Sequence, residues 1–240
     1  MDRYSRECTV SVAMATYNGQ NFLAEQIVSI LQQLAEMDEL VISDDGSTDG
    51  TQDIIKAFSQ QDKRIIYVKN MGSHGIIGNF NNAILYCKGD VIFLSDQDDI
   101  WMPHKLSRCL SALIEEESDL VIHDGLIVDE SLKTVYPSLF KWSGISKNPY
   151  KNFIKGTYWG CCMAFRASQK DWFYPFPENV CHDLFLGIMV GLKGKISLCN
   201  EPLIKHRFHE SNATRKLTIG QIITDRMMLL RAIIEKQYKL

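Results

Sequence analysis

The chain has 240 residues, of which 45% are hydrophobic, so it can bury a core as one α/β domain or as two tightly joined lobes. A net charge of −3, from 26 basic and 29 acidic residues, argues against a nucleic-acid-binding protein that neutralises phosphates. The N-terminus lacks the apolar core of a signal peptide, no run of about 18 apolar residues occurs, and the cysteines form no C-x-x-C pair. We therefore expect a cytoplasmic protein whose contact with membranes is limited to their surface.

The first half of the chain alternates predicted strands with predicted helices. Residues 9–15 form an uncharged, nearly continuous apolar run, which is typical of a strand buried on both faces of a parallel sheet. The turn Thr16–Gly19 ends this strand, and an apolar helix follows as far as Leu34. The turn lacks the glycine patterns of a dinucleotide-binding loop and of a P-loop, so base and ribose contacts would have to hold a bound nucleotide.

The second predicted strand, residues 39–43, ends in acidic residues. Asp49, with Gln52 three residues later, is predicted to cap the following helix. Capping leaves Asp44 and Asp45 unexplained. A carboxylate at a strand end can accept a hydrogen bond from the N3–H of uracil or thymine, or from ribose hydroxyls.

A third strand is predicted at residues 64–68, followed by the glycine-rich segment 72–79 and a helix that reaches Cys87. Glycines let the backbone approach a ligand closely, and a helix N-terminus favours negative charge. A plain glycine-rich turn explains the same segment equally well.

The most informative stretch is residues 91–101, an apolar strand that ends in the carboxylates Asp96, Asp98 and Asp99. Ligands of α/β sheets bind outside the carboxyl ends of the strands. Carboxylates this close repel one another, and a divalent cation with oxygen ligands is the usual compensation. The pattern predicts a Mg²⁺ or Mn²⁺ site, the alternative being a charged turn. The helix that follows completes a predicted right-handed βαβ array.

The second half of the chain is less regular. Strands are predicted at residues 119–123, 125–128, 160–165, 195–199 and 203–207. Residues 133–157 are polar, aromatic and loop-like, and a long irregular segment is usually functional or mobile. Asp183 stands at the start of a predicted apolar helix, where spacing alone favours a cap or a partner of the helix dipole.

Two further features lie near the C-terminus. His209 is in a predicted loop with Arg207, Arg215 and Lys216, a combination that can complete a metal site and neutralise a diphosphate. Residues 217–240 repeat apolar side chains at helical spacing, with lysines and arginines elsewhere. Such a helix most commonly docks on its own domain, and otherwise it pairs with a partner or lies on a membrane surface.

Four of these motifs, in this order and spacing, resemble the family 2 glycosyltransferases, which have the GT-A fold. They are Ala15–Gly19 after the first strand, Asp44–Asp49 after the second, Ser95–Asp99 as the D-x-D motif, and His182–Asp183 as the catalytic pair. The resemblance covers residues 8–215. The spellings DQDDIW, GNFN and GCCMAF are most similar to bacterial rhamnosyltransferase-like enzymes that build surface polysaccharides.

The resemblance implies an α/β protein with a Rossmann-like, mostly parallel central sheet flanked by helices. Residues 1–215 would form one GT-A domain, with a nucleotide-sugar-binding half at 8–117, an acceptor-binding and catalytic half at 118–215, and an amphipathic helix at 216–240. The implied reaction is an inverting transfer from a UDP- or dTDP-sugar to a hydroxyl of a glycan or lipid-linked acceptor. Peripheral contact with the cytoplasmic membrane face would suit such an acceptor.

The resemblance also implies a role for each motif residue. Thr16, Tyr17 and Asp45 would hold the pyrimidine, with Asp44 nearby. Asp96 would contact the ribose or the donor sugar, Asp98 would bind Mg²⁺ or Mn²⁺, and Asp183 would be the general base, with Asp99 the next candidate. Further implied substrate-binding residues are Asn18, Asn79, Trp101, Gly160, Cys161, His182, Arg207 and Arg215. His209 is a second implied metal ligand, although the sequence after it matches the family only in part.

Three other functions compete with this interpretation. A glycoside hydrolase also uses paired carboxylates, but it needs neither a D-x-D cluster nor a pyrimidine pocket. A sugar nucleotidyltransferase would have a basic, glycine-rich loop in place of Thr16–Gly19. A non-catalytic nucleotide-sugar-binding module would keep the first three motifs and would not need Asp183.

Overall fold

The computed structural model describes residues 8–208 and 218–238. The strands are β1 (Val10–Thr16), β2 (Glu39–Asp44), β3 (Ile65–Lys69), β4 (Val91–Ser95), β5 (Ile100–Trp101), β6 (Leu120–Val128), β7 (Thr134–Tyr136), β8 (Met163–Arg166) and β9 (Ile196–Arg207). The α-helices are α1 (Leu23–Leu31), α2 (Thr51–Gln61), α3 (Ile76–Tyr86), α4 (Lys105–Glu115), α5 (Leu139–Ser143), α6 (Pro149–Lys155), α7 (His182–Lys193) and α8 (Ile219–Tyr238). These strands form one sheet in the order β3-β2-β1-β4-β8-β6-β9-β5, with β7 paired to β6.

The first half of the sheet is parallel, as the alternating pattern predicts. β1 lies between β2 and β4, and β3 pairs with β2 on the outside. All five residues of β4 are buried, because helices cover both faces of the sheet here. The carboxyl ends of β1, β2 and β4 therefore lie along one edge.

The second half of the sheet is mixed. β8 runs antiparallel to both β4 and β6, and β6 is parallel to β9. Two antiparallel steps restore the original direction, so β6 and β9 end at the same edge as β4. This edge is called the carboxyl edge below.

Two pairs of predicted strands are in fact single strands. Residues 119–123 and 125–128 belong to β6, and residues 195–199 and 203–207 belong to β9, with register irregularities beside Asp124. Gly125 allows β6 to pack closely against Ile204 on β9, because a Cβ at this position would lie 2.6 Å from Ile204 Cγ2. A β-bulge interrupts the alternation of side chains without ending a strand.

The predicted irregular segment 133–157 contains β7, α5 and α6. Both helices are too short to show a helical period, but their ends carry recognisable signals. Ser138 caps α5 and Asn148 caps α6, each accepting backbone N–H bonds from the first turn. Gly144 and Gly156, with φ of +68° and +64°, end them. Caps and glycines therefore identify these helices better than periodicity does.

Two smaller elements also differ from the prediction. Residues 160–165 begin with a 3-10 turn at Gly160–Cys162, and only then does β8 start. The two-residue strand β5, which pairs with β9, was not predicted at all.

Helix α8 confirms the amphipathic helix predicted near the C-terminus. It is docked through Leu229, Ala232 and Ile233, which are buried. Seven large hydrophobic side chains on α8 remain exposed, namely Ile219, Ile222, Ile223, Met227, Leu230, Ile234 and Tyr238. None of the helices in residues 8–208 and 218–238 has the length and apolar character needed to cross a membrane.

Candidate active site

The turn after β1 is held against the acidic loop that follows β4. Gln97 Oε1 accepts bonds from Thr16 Oγ1 (2.5 Å) and Tyr17 N (2.9 Å), and Gln97 Nε2 donates to the Tyr17 carbonyl. A Cβ on Gly19 would overlap the Gln97 side chain, so this position requires glycine. Asn18 Oδ1 accepts the Thr48 N–H (2.9 Å) and ties the turn to the loop after β2. The Tyr17 side chain stays exposed, where a planar base can stack on it.

The two carboxylates after β2 already accept several hydrogen bonds. Asp44 is buried and accepts from the backbone and hydroxyl of Ser47. Asp45 accepts from Asn70 Nδ2 (2.7 Å) and Gly75 N (2.7 Å), and His74 Nδ1 lies 2.9 Å away. Both acids therefore shape the loops between β2 and α3.

A cavity of about 300 Å³ opens beside these acids, at the ends of β2 and β3. Its lining includes Asp44, Lys69, Asn70 and His74. The sequence does not identify three of these lining residues, Lys69, Asn70 and His74. It does indicate, from the glycines of residues 72–79, that this loop can approach a ligand. A mostly apolar lining with a few polar groups, and a volume of this size, suit a pyrimidine ring.

Asn79 and Trp101 lie behind the carboxyl edge. Asn79 is buried and donates from Nδ2 to the Thr16 carbonyl (3.0 Å). The Trp101 ring is 3% exposed and packs on Phe93, with Lys105 Nζ 4.3 Å from its centroid. Both side chains are buried behind the carboxyl edge, which corrects the expectation that they contact the substrate directly.

The acidic loop carries one buried and two half-buried carboxylates. Asp99 is buried, whereas Asp96 and Asp98 are half-buried. Burial and the charges of Asp99 and Asp98 raise the pKa of Asp96 to about 8, and the charge of Asp183 adds to this effect. The Asp96 carboxyl is therefore mostly protonated at neutral pH, and a cation bound there would favour its ionised form.

A buried ion pair fixes Asp99. Its Oδ1 lies 2.8 Å from His206 Nδ1 and accepts the Arg207 N–H (3.1 Å). Burial opposes the charged imidazole, but the Asp99 carboxylate outweighs it and raises the pKa of His206 well above its usual value. Burial likewise opposes the charged carboxylate, but His206 lowers the pKa of Asp99 below its usual value. The pair is therefore charged on both sides.

Arg207 is not placed to neutralise a diphosphate, which corrects the expectation from the sequence. It is 3% exposed, and its guanidinium donates to the carbonyls of Asp98 (2.8 Å) and Glu130 (2.8 Å) and to Glu25 Oε2 (2.7 Å). Its role in this structure is to hold the backbone of the acidic loop.

Buried Lys105, His206 and Cys161 connect the acidic loop to the turn before β8. Lys105 Nζ donates to the Cys161 carbonyl (2.8 Å), and Cys161 Sγ lies 3.7 Å from His206 Nδ1. The sequence interpretation missed both Lys105 and His206. The sequence contains one signal that Lys105 is buried, because Lys105 lies on the same helix face as the apolar residues Cys109 and Leu113.

Asp183 lies against that same turn. Its Oδ2 accepts the Gly160 N–H (3.2 Å), and its Oδ1 accepts from Leu184 N (2.6 Å) and Cys181 Sγ (2.8 Å). Leu184 is the third residue of α7, so Asp183 satisfies one free N–H of the first helical turn, whereas the N-cap residue Cys181 forms no side-chain cap. A Cβ at position 160 would lie 3.0 Å from His182 Nε2, so glycine favours the close approach of this turn to His182 and Asp183.

His182 packs beneath Asp183. Its ring stacks on Phe80 with centroids 4.5 Å apart, and its Nε2 is buried without a hydrogen-bond partner among the described residues. Burial lowers the pKa of His182, which keeps the imidazole neutral at pH 7. A neutral ring does not compete with a substrate for the Asp183 carboxylate.

Two sets of side chains could hold a metal ion. Asp96 and Asp98, together with the buried Oδ2 of Asp99, which has no hydrogen-bond partner in the described part of the chain, offer oxygen atoms that suit a hard divalent cation. The ligand atoms of Asp99, Cys161 and His206 also lie within 4.8 Å of one another. However, the His206 proton already bonds Asp99, so this second set is an ion-pair cluster. His209 and Arg215 lie outside the described residues.

Comparisons with known proteins identify the family. The model of the family described as glycosyl transferase family 2 matches residues 11–173. An uncharacterized glycosyltransferase of Nostoc is 29% identical over 215 residues, which are 85% of this chain and 66% of that protein. The Escherichia coli UDP-Glc:alpha-D-GlcNAc-diphosphoundecaprenol beta-1,3-glucosyltransferase WfgD is 26% identical over 205 residues, covering 85% of this chain and 78% of that protein.

A solved structure shows the fold. Staphylococcus aureus TarS 1-349 in complex with UDP-GlcNAc superposes with a TM-score of 0.74 at 20% identity, over 95% of this chain and 66% of that one. The likeness confirms the predicted GT-A fold. This chain thus spans just under two thirds of the length of both TarS 1-349 and the Nostoc protein.

Asp99→Asn tests whether the buried ion pair supports the structure. Removing one charge leaves His206 buried without its counter-charge, and we expect a loss of roughly 3–5 kcal/mol in the free energy of unfolding by urea at pH 7. The control is Asp62→Asn, which breaks the more exposed pair with Arg64 and should cost at most about 1 kcal/mol. Equal losses in the two variants would show that the Asp99 pair contributes no more than a surface pair.

Proposed function

The chain belongs to glycosyl transferase family 2, and we propose that it is a glycosyltransferase that transfers a sugar, with inversion, from a UDP- or dTDP-sugar to a hydroxyl of a glycan or lipid-linked acceptor. Surface polysaccharide synthesis is the proposed setting, because WfgD is named for a diphosphoundecaprenol acceptor. The observation that carries the proposal is a chain of contacts between the acidic loop and the candidate base. Asp99 pairs with His206, His206 contacts Cys161, and Gly160, next to Cys161, donates its N–H to Asp183.

The proposed donor site runs along the carboxyl edge. The pyrimidine would enter the cavity beside Asp44 and Asn70, with Tyr17 available for stacking. Asp96 would contact the ribose or donor sugar, and Asp98 would bind Mg²⁺ or Mn²⁺. A divalent cation there supplies Lewis-acid stabilisation of the departing diphosphate.

Asp183 is the proposed general base. As the acceptor oxygen bonds to the anomeric carbon, the bond from that carbon to the diphosphate breaks, and the hydroxyl proton moves to the Asp183 carboxylate. The hydroxyl becomes acidic while its new bond forms, so a carboxylate suffices as the base. The N–H groups of Gly160 and Leu184 hold this carboxylate in place.

Contact with the cytoplasmic face of a membrane is also proposed. The exposed apolar side chains of α8 form a stripe, and exposed Tyr150 and Ile154 on α6 add to this apolar surface. The two helices are in contact, since Arg226 on α8 donates to the Ile154 carbonyl (3.4 Å). An amphipathic surface of this kind binds at the lipid interface. A lipid-linked acceptor would then reach Asp183 from the membrane.

The first prediction concerns the metal. UDP should raise the thermal stability of the protein only when Mn²⁺ or Mg²⁺ is present, by about 2.7 kcal/mol when UDP is at 100 times its Kd. Protons compete with the cation for the acidic loop, so metal affinity should rise between pH 6 and the Asp96 pKa of about 8. Asp98→Ala should abolish the metal-dependent part of the shift, with the exposed Asp53→Ala as the control. An unchanged shift in Asp98→Ala would place the cation elsewhere.

The second prediction separates catalysis by Asp183 from a structural role. Asn keeps one acceptor oxygen, which can accept the Leu184 N–H bond, but its Nδ2 group cannot accept the Gly160 N–H bond and the side chain cannot take up a proton. Asp183→Asn should therefore lower turnover by roughly 10²–10⁴. Metal-dependent UDP binding should survive, because the base faces the acceptor. Turnover within a few-fold of the parent enzyme would make Asp183 structural and leave Asp99 as the next candidate base.

The third prediction concerns α8. The protein should float with vesicles containing anionic lipid at low salt and less so at moderate salt. Ile223→Glu with Met227→Glu should prevent flotation, since both side chains are exposed on the stripe. Leu85→Glu, at an exposed apolar position on α3, is the control. If the unaltered chain stays in the soluble fraction at low salt, the stripe has another partner.

A further inference from the structure

Three aromatic side chains form a cluster at the carboxyl edge that the proposed donor site does not use. Trp142 packs against Trp159 with ring centroids 5.6 Å apart, and against Phe208 with centroids 5.7 Å apart. Behind them lies His206, whose ring is 5.3 Å from Trp159 and 5.4 Å from Phe208. This set of Trp142, Trp159 and Phe208 is called the aromatic platform. It rests directly on the ion pair that fixes the acidic loop.

The platform lies on the opposite side of the acidic loop from the nucleotide end. In the sheet, β2 and β1 lie on one side of β4, whereas β6 and β9 lie on the other. Phe208 follows the end of β9, and Trp142 is on α5, which follows β6 and β7. Trp159 directly precedes Gly160, whose N–H binds Asp183. The platform is therefore on the side of the candidate base.

Trp142 is held rigidly and yet is 48% exposed. Buried Asp124 fixes the start of α5 by accepting bonds from Ser138 Oγ (2.6 Å) and Phe140 N (2.9 Å). Leu139 and Phe140 are buried beside it and anchor the helix to the core. A fixed, exposed indole is pre-organised for binding, since little conformational entropy remains to be lost when a ligand covers it.

We propose that the aromatic platform binds a sugar ring of the acceptor, so that the acceptor is a saccharide and not a protein side chain or a simple alcohol. The C–H face of a pyranose is apolar and weakly positive, and it complements the negative face of an indole ring. A ring stacked on Trp142 would direct a neighbouring hydroxyl toward Asp183. This inference rests on the proposed function, because it assigns the acceptor class of that site.

Binding of simple saccharides tests the platform without knowledge of the natural acceptor. The methyl glycosides of glucose, galactose, rhamnose and N-acetylglucosamine are titrated in the presence of UDP and Mg²⁺, which is diamagnetic, with saturation-transfer NMR as the readout. At least one glycoside should bind with saturation concentrated on the C–H protons of one ring face. Trp142→Ala should weaken that binding about tenfold, equal to about 1.4 kcal/mol, and Trp142→Phe should retain most of it.

The matched control is Tyr86→Ala, since Tyr86 is 46% exposed on α3 and lies outside the platform. It should leave glycoside binding unchanged. Calorimetry of UDP with Mg²⁺ on the same proteins separates the two proposals: UDP binding without binding of any glycoside overturns the platform and leaves the donor site standing. Equal glycoside affinity in Trp142→Ala and the parent protein also overturns it. Failure of UDP to bind the parent protein would instead count against the proposed function.

Discussion

The buried ion pair between Asp99 and His206 is the constraint on which the carboxyl edge depends. It joins the loop after β4 to the end of β9, which are 107 residues apart in the chain. Desolvating two charges is expensive, and the cost is offset only when the geometry is good and further hydrogen bonds are made. The Arg207 N–H supplies one such bond to Asp99. The acidic loop is consequently held from behind, so its remaining carboxylates can face the cleft.

The same cluster links the donor side of the site to the catalytic side. His206 contacts Cys161, and Lys105 donates to the Cys161 carbonyl. The neighbouring residue, Gly160, donates to Asp183. A continuous series of contacts therefore runs from the acidic loop to the candidate base. Pre-organisation of this kind matters because general-base catalysis requires the base within hydrogen-bonding reach of the reacting hydroxyl.

The sequence predicts the first half of the fold well because each strand there is a continuous apolar run followed by a turn or acidic residues. It predicts the second half less well, since a β-bulge at Gly125 resembles a turn and short helices such as α5 show no period. The D-x-D motif and Asp183 are found from local spelling. Arg207 was misassigned because its partner Glu25 is 182 residues away, and no local pattern reveals such a pair. The aromatic platform was missed for the same reason.

The distribution of charge at the carboxyl edge explains why an added cation suits this site. Lys105, His206 and Arg207 are all buried behind the acidic loop, where they bond Cys161, Asp99 and the loop backbone. Within residues 8–208 and 218–238, these cations stabilise the loop but do not present their charge to the cleft. The cleft face is left with half-buried Asp96 and Asp98 and with Asp183 opposite. A diphosphate would be repelled by this face, whereas a divalent cation between the carboxylates and the diphosphate would attract both. The buried cations thus fix the shape of the acidic loop and do not supply charge to its cleft face.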